Sequence, residues 1–150
     1  MKTQELLSKQ VSVFLENKSG RLAEVCQTLG DADINIRALC IADTSDFGIL
    51  RLIVNDPDEA VEVLQSAGFS VGSTGVLALR IPDRPGGLGE VLDHLQASEI
   101  NVEYMYAFFI TIAGDAVVLF KVADEMLDRT LEVLDEAGIT VIPSEQVYGL

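Results

Sequence analysis

The sequence contains an internal repeat, which limits the folds that the chain can adopt. Residues of the first half recur 66 positions later: Gly20 and Gly86, Leu22 and Leu88, Glu24 and Glu90, Val25 and Val91, Leu29 and Leu95, Ile34 and Ile100, Asn35 and Asn101. Further along, the offset becomes 70 and relates Leu64, Ala67 and Gly68 to Leu134, Ala137 and Gly138. In a chain of 150 residues, this self-similarity predicts two copies of one supersecondary unit.

The first half has the hydrophobic pattern of a βαββαβ unit. Alternating residues from Val11 to Leu15 predict a strand, and the stripe Leu22, Val25, Cys26, Leu29 predicts a helix that ends near Gly30 or Asp31. The other elements follow from β-rich runs and helix signals: strands at Ile34–Ala42 and Phe47–Val54 joined by the turn Asp43–Asp46, a helix from Asp56-Pro57 to Gly68, and a strand from Phe69.

The second half predicts the same order. Strand, helix and strand patterns recur at Leu77–Ile81, Leu88–Leu95, Glu99–Ile112, Ala116–Val122 and Asp124–Ala137, with a last strand from Ile139, Val141 and Val147-Tyr148. The turn-rich stretch Gly72–Gly75 is the one plausible boundary, which gives domains at 1–72 and 73–150. We therefore predict an α+β fold of two ferredoxin-like units, each an antiparallel sheet with helices on one face.

A glycine turn follows the first strand of each half and leads into a helix. The two turns are Asn17-Lys18-Ser19-Gly20-Arg21-Leu22 and Asp83-Arg84-Pro85-Gly86-Gly87-Leu88. The first N–H groups of a helix have no acceptor within the helix, so this arrangement suits an anion such as a carboxylate. The repeat therefore predicts a small-molecule site that is present twice.

Composition and charge exclude several other functions. The formal net charge is −14, which disfavours nucleic acid and anionic membrane surfaces as partners. The N-terminal residues lack a signal-peptide core, and no run is apolar enough to span a bilayer, so we expect a cytoplasmic protein. No nucleophile motif, zinc cluster or nucleotide fingerprint is present. We therefore expect a protein that is not an enzyme and has no cofactor or metal.

The duplicated pattern resembles tandem ACT domains. The second half has Asp83, Pro85, Gly86 and Leu88, followed by Ile100-Asn101-Val102 at the start of its second strand. The first half keeps Gly20, Leu22 and Ile34-Asn35-Ile36 but has Asn17 and Ser19 in place of Asp and Pro. The resemblance implies a stand-alone regulatory protein that binds an amino acid where two ACT units meet.

The resemblance and the turn chemistry together select the candidate site residues. Backbone N–H groups of the turn would bind the ligand carboxylate, Asp83 would pair with its ammonium, and the Asn101 amide would bridge both groups. The predicted ligand-binding residues are Asp83, Gly86, Gly87, Leu88 and Asn101 in the second half and Asn17, Gly20, Arg21, Leu22 and Asn35 in the first. Catalytic and metal-binding residues are predicted to be absent.

Each of these assignments has a structural alternative. The glycines fit a tight strand-to-helix turn, Asp83 fits a helix cap, and either Asn fits a turn that its side chain stabilises. Apolar residues on both faces of the second strands favour a second candidate function, a protein-interaction module. Its partner would be another chain, as a homodimer or as the regulatory subunit of a separate enzyme. A small ferredoxin-like enzyme is the third alternative.

Overall fold

The computed structural model describes residues 2–43 and 46–150, so Thr44 and Ser45 of the predicted turn Asp43–Asp46 lie outside the described residues. The chain divides into two compact units. The first unit comprises Lys9–Thr74 and Tyr148–Leu150, and the second unit comprises Met1–Ser8 and Gly75–Val147. Among the described residues, no helix has the length and apolar character needed to cross a membrane.

Six strands and six α-helices make up the described chain. In order they are α1 (Thr3–Leu6), β1 (Leu7–Glu16), α2 (Arg21–Asp31), β2 (Ile36–Asp43), β3 (Phe47–Val54), α3 (Pro57–Ser66), β4 (Ser70–Pro82), α4 (Gly87–Ala97), β5 (Tyr104–Ile112), β6 (Asp115–Lys121), α5 (Leu127–Glu136) and α6 (Ser144–Tyr148). A 3-10 turn, Asp124–Met126, precedes α5. All strand pairs in both units are antiparallel among the described residues. The predicted α+β fold with two ferredoxin-like units is confirmed.

In the first unit, β3 lies between β1 and β2, and Leu52 is opposite both Val11 and Leu39. The strand alternation seen in the sequence places one set of side chains against α2 and α3. This set forms the core: Val11, Val13, Leu15, Val25, Leu29, Ile34, Leu50, Leu52, Val54, Ala60 and Leu64. Helix α3 begins as predicted, because the Asp56 side chain accepts a hydrogen bond from the Glu59 N–H and Pro57 occupies the first turn.

In the second unit, β6 lies between β4 and β5, and Val141 adds one bridge to Leu79 on the other side of β4. The core uses positions related to the first unit by the repeat: Leu77, Leu79, Ile81, Val91, Leu95, Ile100, Val118, Phe120, Val122, Val133 and Leu134. The turn between β5 and β6 has two left-handed residues, Ala113 and Gly114. Each unit therefore buries most of the stripes that the periodicity predicted, but Leu22, at the start of the first helix stripe, is 41% exposed.

The predicted linker Gly72–Gly75 is part of a strand. Strand β4 continues through it from Ser70 to Pro82. Gly75 marks a close approach and not a turn, because a Cβ at this position would lie 3.1 Å from a Leu7 methyl group. The division into domains 1–72 and 73–150 remains a prediction.

The structure corrects three other element assignments. The run predicted as a strand from Glu99 enters β5 only at Tyr104, because Glu99 has a left-handed backbone (φ 57°) in the turn after α4. The predicted strand at Val147-Tyr148 belongs to helix α6, in which the Val147 N–H donates to the Pro143 carbonyl at 3.1 Å. The helix predicted from Asp124 begins as a 3-10 turn and becomes α-helical at Leu127.

Candidate functional site

The turn of the second unit delivers the chain from β4 into α4. The Arg84 N–H donates to the Pro82 carbonyl and the Gly87 N–H donates to the Arg84 carbonyl, both at 3.0 Å. Gly86 is the N-cap residue with a left-handed backbone (φ 82°), and no side chain caps the helix. The alternative that Asp83 caps the helix is therefore wrong. The N–H groups of Leu88 and Gly89 lie in the first turn, where the helix offers no acceptor.

The turn of the first unit follows the same path in a looser form. The Lys18 N–H donates to the Glu16 carbonyl at 2.9 Å, whereas the Arg21 N–H donates to the Lys18 carbonyl at 3.4 Å. Gly20 is the left-handed N-cap of α2, with φ of 91°. The repeat thus produces two helix N-termini with the same backbone form.

The backbone around position 87 leaves room only for glycine. A Cβ at this position would lie 2.1 Å from the carbonyl oxygen of Pro82, which is too close for any side chain. Gly86 has open space around it, and its requirement comes from its positive φ. Turn geometry therefore accounts for both glycines without a ligand, as one of the sequence alternatives proposed.

Asn101 and the turn lie at opposite ends of the second unit's sheet. Pro82, which precedes the turn, is opposite Asp115, whereas Tyr104, which follows Asn101, is opposite Lys121. The six steps from Asp115 to Lys121 span roughly 20 Å at about 3.4 Å per strand residue. One amino acid therefore cannot contact the turn and Asn101 of the same unit.

The same separation holds in the first unit. Glu16, at the turn end, is opposite Phe47, whereas Ile36, next to Asn35, is opposite Val54. The Asn35 backbone N–H donates to the Asn55 side-chain oxygen at 2.8 Å, and the Asn55 N–H donates to the Asn35 carbonyl at 3.1 Å. Backbone bonds fix the position of Asn35, and its side chain is exposed.

A cavity opens beside the turn in each unit. The second-unit cavity has a volume of about 420 Å³ and is lined by Arg80, Pro82, Gly87, Glu90, Val91, His94, Asp115, Ala137, Gly138, Ile139 and Thr140. The first-unit cavity has a volume of about 330 Å³ and is lined by Phe14, Leu15, Glu16, Arg21, Glu24, Phe47, Ala67, Gly68, Phe69 and Ser70. Most of the two linings correspond through the offsets of 66 and 70, so the repeat produces equivalent cavities.

Charged groups of both signs line the second-unit cavity. The Arg80 guanidinium donates from Nη2 to the Asp115 carboxylate at 2.9 Å. Glu90 accepts a hydrogen bond from the Arg84 guanidinium at 2.8 Å, and this bond together with the charge of Arg84 lowers the pKa of the Glu90 carboxyl. The same bond raises the pKa of Arg84. The wall of this cavity therefore presents both carboxylate and guanidinium groups.

The first-unit cavity replaces part of this charge with aromatic rings. Phe14 occupies the position equivalent to Arg80, and Phe47, in the register position of Asp115, pairs with Glu16. The salt bridge of Glu16 to Lys18 at 3.1 Å, followed by the charge of Arg21, lowers the pKa of Glu16. The sequence prediction missed Arg80 and Asp115, although the mismatch of Phe14 and Arg80 within a matching repeat was an available signal.

Among residues 2–43 and 46–150, no group of three or more His, Cys, Asp or Glu side chains could hold a metal ion. Cys26 and Cys40 are both free thiols and are partly buried. The described groups at the two turns form hydrogen bonds and ion pairs.

Comparison with known proteins identifies the family. No curated protein matches the sequence. Protein BT0572 from Bacteroides thetaiotaomicron has a similar crystal structure, with 41% identity over 97% of this chain and 98% of its own and a TM-score of 0.89. The ligand-free regulatory subunit of aspartate kinase from Thermus thermophilus shares the fold at 14% identity, 89% and 95% coverage and a TM-score of 0.65. The family model described as an ACT domain pair matches residues 6–149, and the chain therefore belongs to the ACT domain pair family.

Proposed function

We propose that this chain is a non-catalytic regulatory protein that senses a free amino acid. The observation that carries the proposal is the helix N-terminus after Gly86, which opens beside a cavity that bears both carboxylate and guanidinium groups. Such a cavity matches the two opposite charges of an amino acid. Membership of a family of ACT domain pairs supports a regulatory role.

The proposed contacts follow from the chemistry of the turn. The ligand carboxylate would accept hydrogen bonds from the N–H groups at the start of α4, and Asp83 would attract the ammonium. Because Asn101 lies roughly 20 Å from the turn of its own unit, Asn101 would contact a ligand held by the turn of a different ACT unit. The full proposed set remains Asp83, Gly86, Gly87, Leu88, Asn101, Asn17, Gly20, Arg21, Leu22 and Asn35.

Thermal unfolding with each of the twenty amino acids tests the proposal. A ligand that binds only the folded state raises the unfolding temperature, and the stabilisation grows with the logarithm of the ligand concentration above Kd. We expect at least one amino acid to stabilise the protein, and we expect Asn101→Ala to remove this effect while unfolding stays cooperative. Gln96→Ala, an exposed change on α4, serves as the control. Absence of stabilisation by every amino acid at tens of millimolar would contradict the function.

An exposed apolar strand favours a second candidate function, binding to another protein chain. Strand β5 lies at the end of the strand order, and its Phe109 side chain is 71% exposed. Ile110 and Met105 on the same strand are also exposed. An apolar edge strand of this kind is usually covered by a partner. The partner would be a second copy of this chain or a separate enzyme.

Light scattering coupled to size exclusion tests this second candidate. We expect the protein to elute as a dimer and Phe109→Ser to shift it toward the monomer, because the substitution removes a large apolar contact. Thr111→Ser, a small change on the same strand, is the control. A wild-type protein that is monomeric at every concentration would leave only the separate enzyme as the partner.

A further inference from the structure

Arg80 has more hydrogen-bonding capacity than the protein uses. Its Nη2 atom donates to the Asp115 carboxylate at 2.9 Å and to the Ile112 carbonyl at 3.4 Å. Its Nε atom is buried and has no acceptor among the described residues. A guanidinium has five N–H donors, and a buried donor without an acceptor is unfavourable. About a third of the side chain (31%) is exposed, and it lines the second-unit cavity.

The other walls of this cavity define the chemistry that would fit beside Arg80. Glu90 and Asp115 contribute carboxylates, and Val91 and Ile139 contribute apolar surface. The volume of about 420 Å³ lies within the usual range for small-molecule sites, about 300–1,000 Å³. In a ligand with a carboxylate, a positive group nearby and a short side chain, the carboxylate would match the guanidinium. The positive group would match the cavity carboxylates, and the side chain would match the apolar surface.

The first-unit cavity lacks the guanidinium at this point. Phe14 stands at the position equivalent to Arg80 and is 54% exposed, and Phe47, at the register position of Asp115, is 62% exposed. Arg21, the arginine that does line this cavity, already pairs with Glu24 at 3.0 Å and Glu16 at 3.6 Å. The repeat therefore preserved the cavity in both units, but only the second-unit cavity has a guanidinium at this strand position.

We propose that Arg80 anchors the carboxylate of a small ligand in the second-unit cavity. Arg80 would bridge Asp115 and the ligand, since the separate edges of a guanidinium can bind two carboxylates. Glu90 would face the positive group of the ligand, so α-amino acids are the first candidate class, a choice that rests on the proposed function. Arg80 is a contact that the predicted set lacks, and Asn101 of the same unit lies at the other end of the sheet, too far away to reach this ligand.

The experiment compares two probe sets on matched variants. Thermal unfolding and calorimetry with the twenty amino acids are repeated with acetate, propionate, succinate and glutarate at constant ionic strength. We expect Arg80→Met to weaken the tightest probe by about tenfold or more, the size expected for losing a hydrogen bond to a charged group. Phe14→Met, the matched change in the first unit, should alter its affinity by less than about twofold. Arg80→Lys should retain part of the binding.

A second measurement covers the case in which Arg80→Met does not fold. In the wild-type protein, the best probe should shift the NMR signals of the Arg80 Nε–H and of the Leu88 and Gly89 N–H groups. Shifts confined to the region of Asn101 would overturn the Arg80 site.

The outcomes separate this inference from the proposed function. If an amino acid binds with unchanged affinity to Arg80→Met, the Arg80 site is wrong and amino-acid sensing stands. If only the simple carboxylates bind, and they require Arg80, the site is correct and amino-acid sensing is wrong. If no probe in either set stabilises the wild-type protein, both are wrong.

Discussion

The two turn regions share a backbone but differ in the side chains around it. Both place a left-handed glycine, Gly20 or Gly86, at the start of a helix. The next residue is Arg21 in the first unit and Gly87 in the second. The second turn is tighter, because the Pro82 carbonyl occupies the space that a Cβ of residue 87 would need. The comparison shows that duplication preserved the fold elements while the cavity walls diverged.

Substitution of Gly87 should have the largest effect on this comparison. Gly87→Ala places a Cβ 2.1 Å from a backbone carbonyl oxygen, so we expect a loss of about 3 kcal/mol of unfolding free energy or more. Arg21→Ala changes the equivalent position of the looser turn and should cost about 0.5 kcal/mol through its exposed ion pairs. Urea denaturation followed by circular dichroism measures both. Equal losses would show that the two turns are equally tight.

The left-handed glycines should show what the two turns have in common. A Cβ at Gly20 or Gly86 would contact nothing, but both residues have positive φ. We expect Gly20→Ala and Gly86→Ala to destabilise by similar amounts, about 1–2 kcal/mol each. Gly89→Ala is the control in the first turn of α4 and should stabilise by about 0.5 kcal/mol, since alanine has a higher helix propensity than glycine. Very different losses of unfolding free energy in Gly20→Ala and Gly86→Ala would show that the two turns do not share the same backbone conformation.

The second helices of the two units differ in their caps. Asp56 caps α3 through the Glu59 N–H at 3.2 Å, whereas Met126, 70 positions later, gives α5 no side-chain cap. We expect Asp56→Ala to cost about 1 kcal/mol of unfolding free energy. Asp56→Asn retains an acceptor and should cost less. An unchanged unfolding free energy in Asp56→Ala would mean that α3, like α5, does not depend on a side-chain N-cap.

The stability that Glu16 and Glu90 contribute at the two turns should depend on pH in a similar way and to a small extent. Hydrogen bonding to Arg84 lowers the pKa of Glu90, and the contact with Lys18 lowers the pKa of Glu16, both from an ordinary value of 4.5. A carboxyl whose pKa is lowered by folding stabilises the protein above its unfolded pKa. This stability is lost as the pH falls through the folded pKa.

A pH titration followed by carbon NMR of the Glu16 and Glu90 carboxyl groups measures the two pKa values. We expect both midpoints to lie below the ordinary value, and we expect Arg84→Met to raise the Glu90 midpoint while that of Glu16 stays unchanged. If the Glu90 midpoint in the wild-type protein lay at the ordinary value, the Arg84–Glu90 ion pair would not form in solution.

Local sequence signals predicted most elements because they depend on neighbouring residues. The Asp56-Pro57 start, the Gly68 and Gly138 stops and the alternation of Val11, Val13 and Leu15 all reappear in the structure. Composition misled the prediction at Gly75, where glycine makes room for Leu7, and at Val147, which belongs to a helix. Packing against a distant residue decides such positions, and no local pattern reports it.

The residues of the candidate site were also predicted only in part. The sequence located both turns and both asparagines, but it grouped Asn101 with the turn that lies at the other end of the sheet. It also passed over Arg80 and Asp115, which meet only because β4 and β6 are paired strands.

The sequence by itself determined that the chain has two βαββαβ units, with a helix start after each glycine turn, because periodicity and turn chemistry are encoded within short stretches. The tertiary structure alone decided which side chains share a cavity. Strand register brings together residues that are far apart in the chain, so the Arg80–Asp115 pair appears only when β4 and β6 pair.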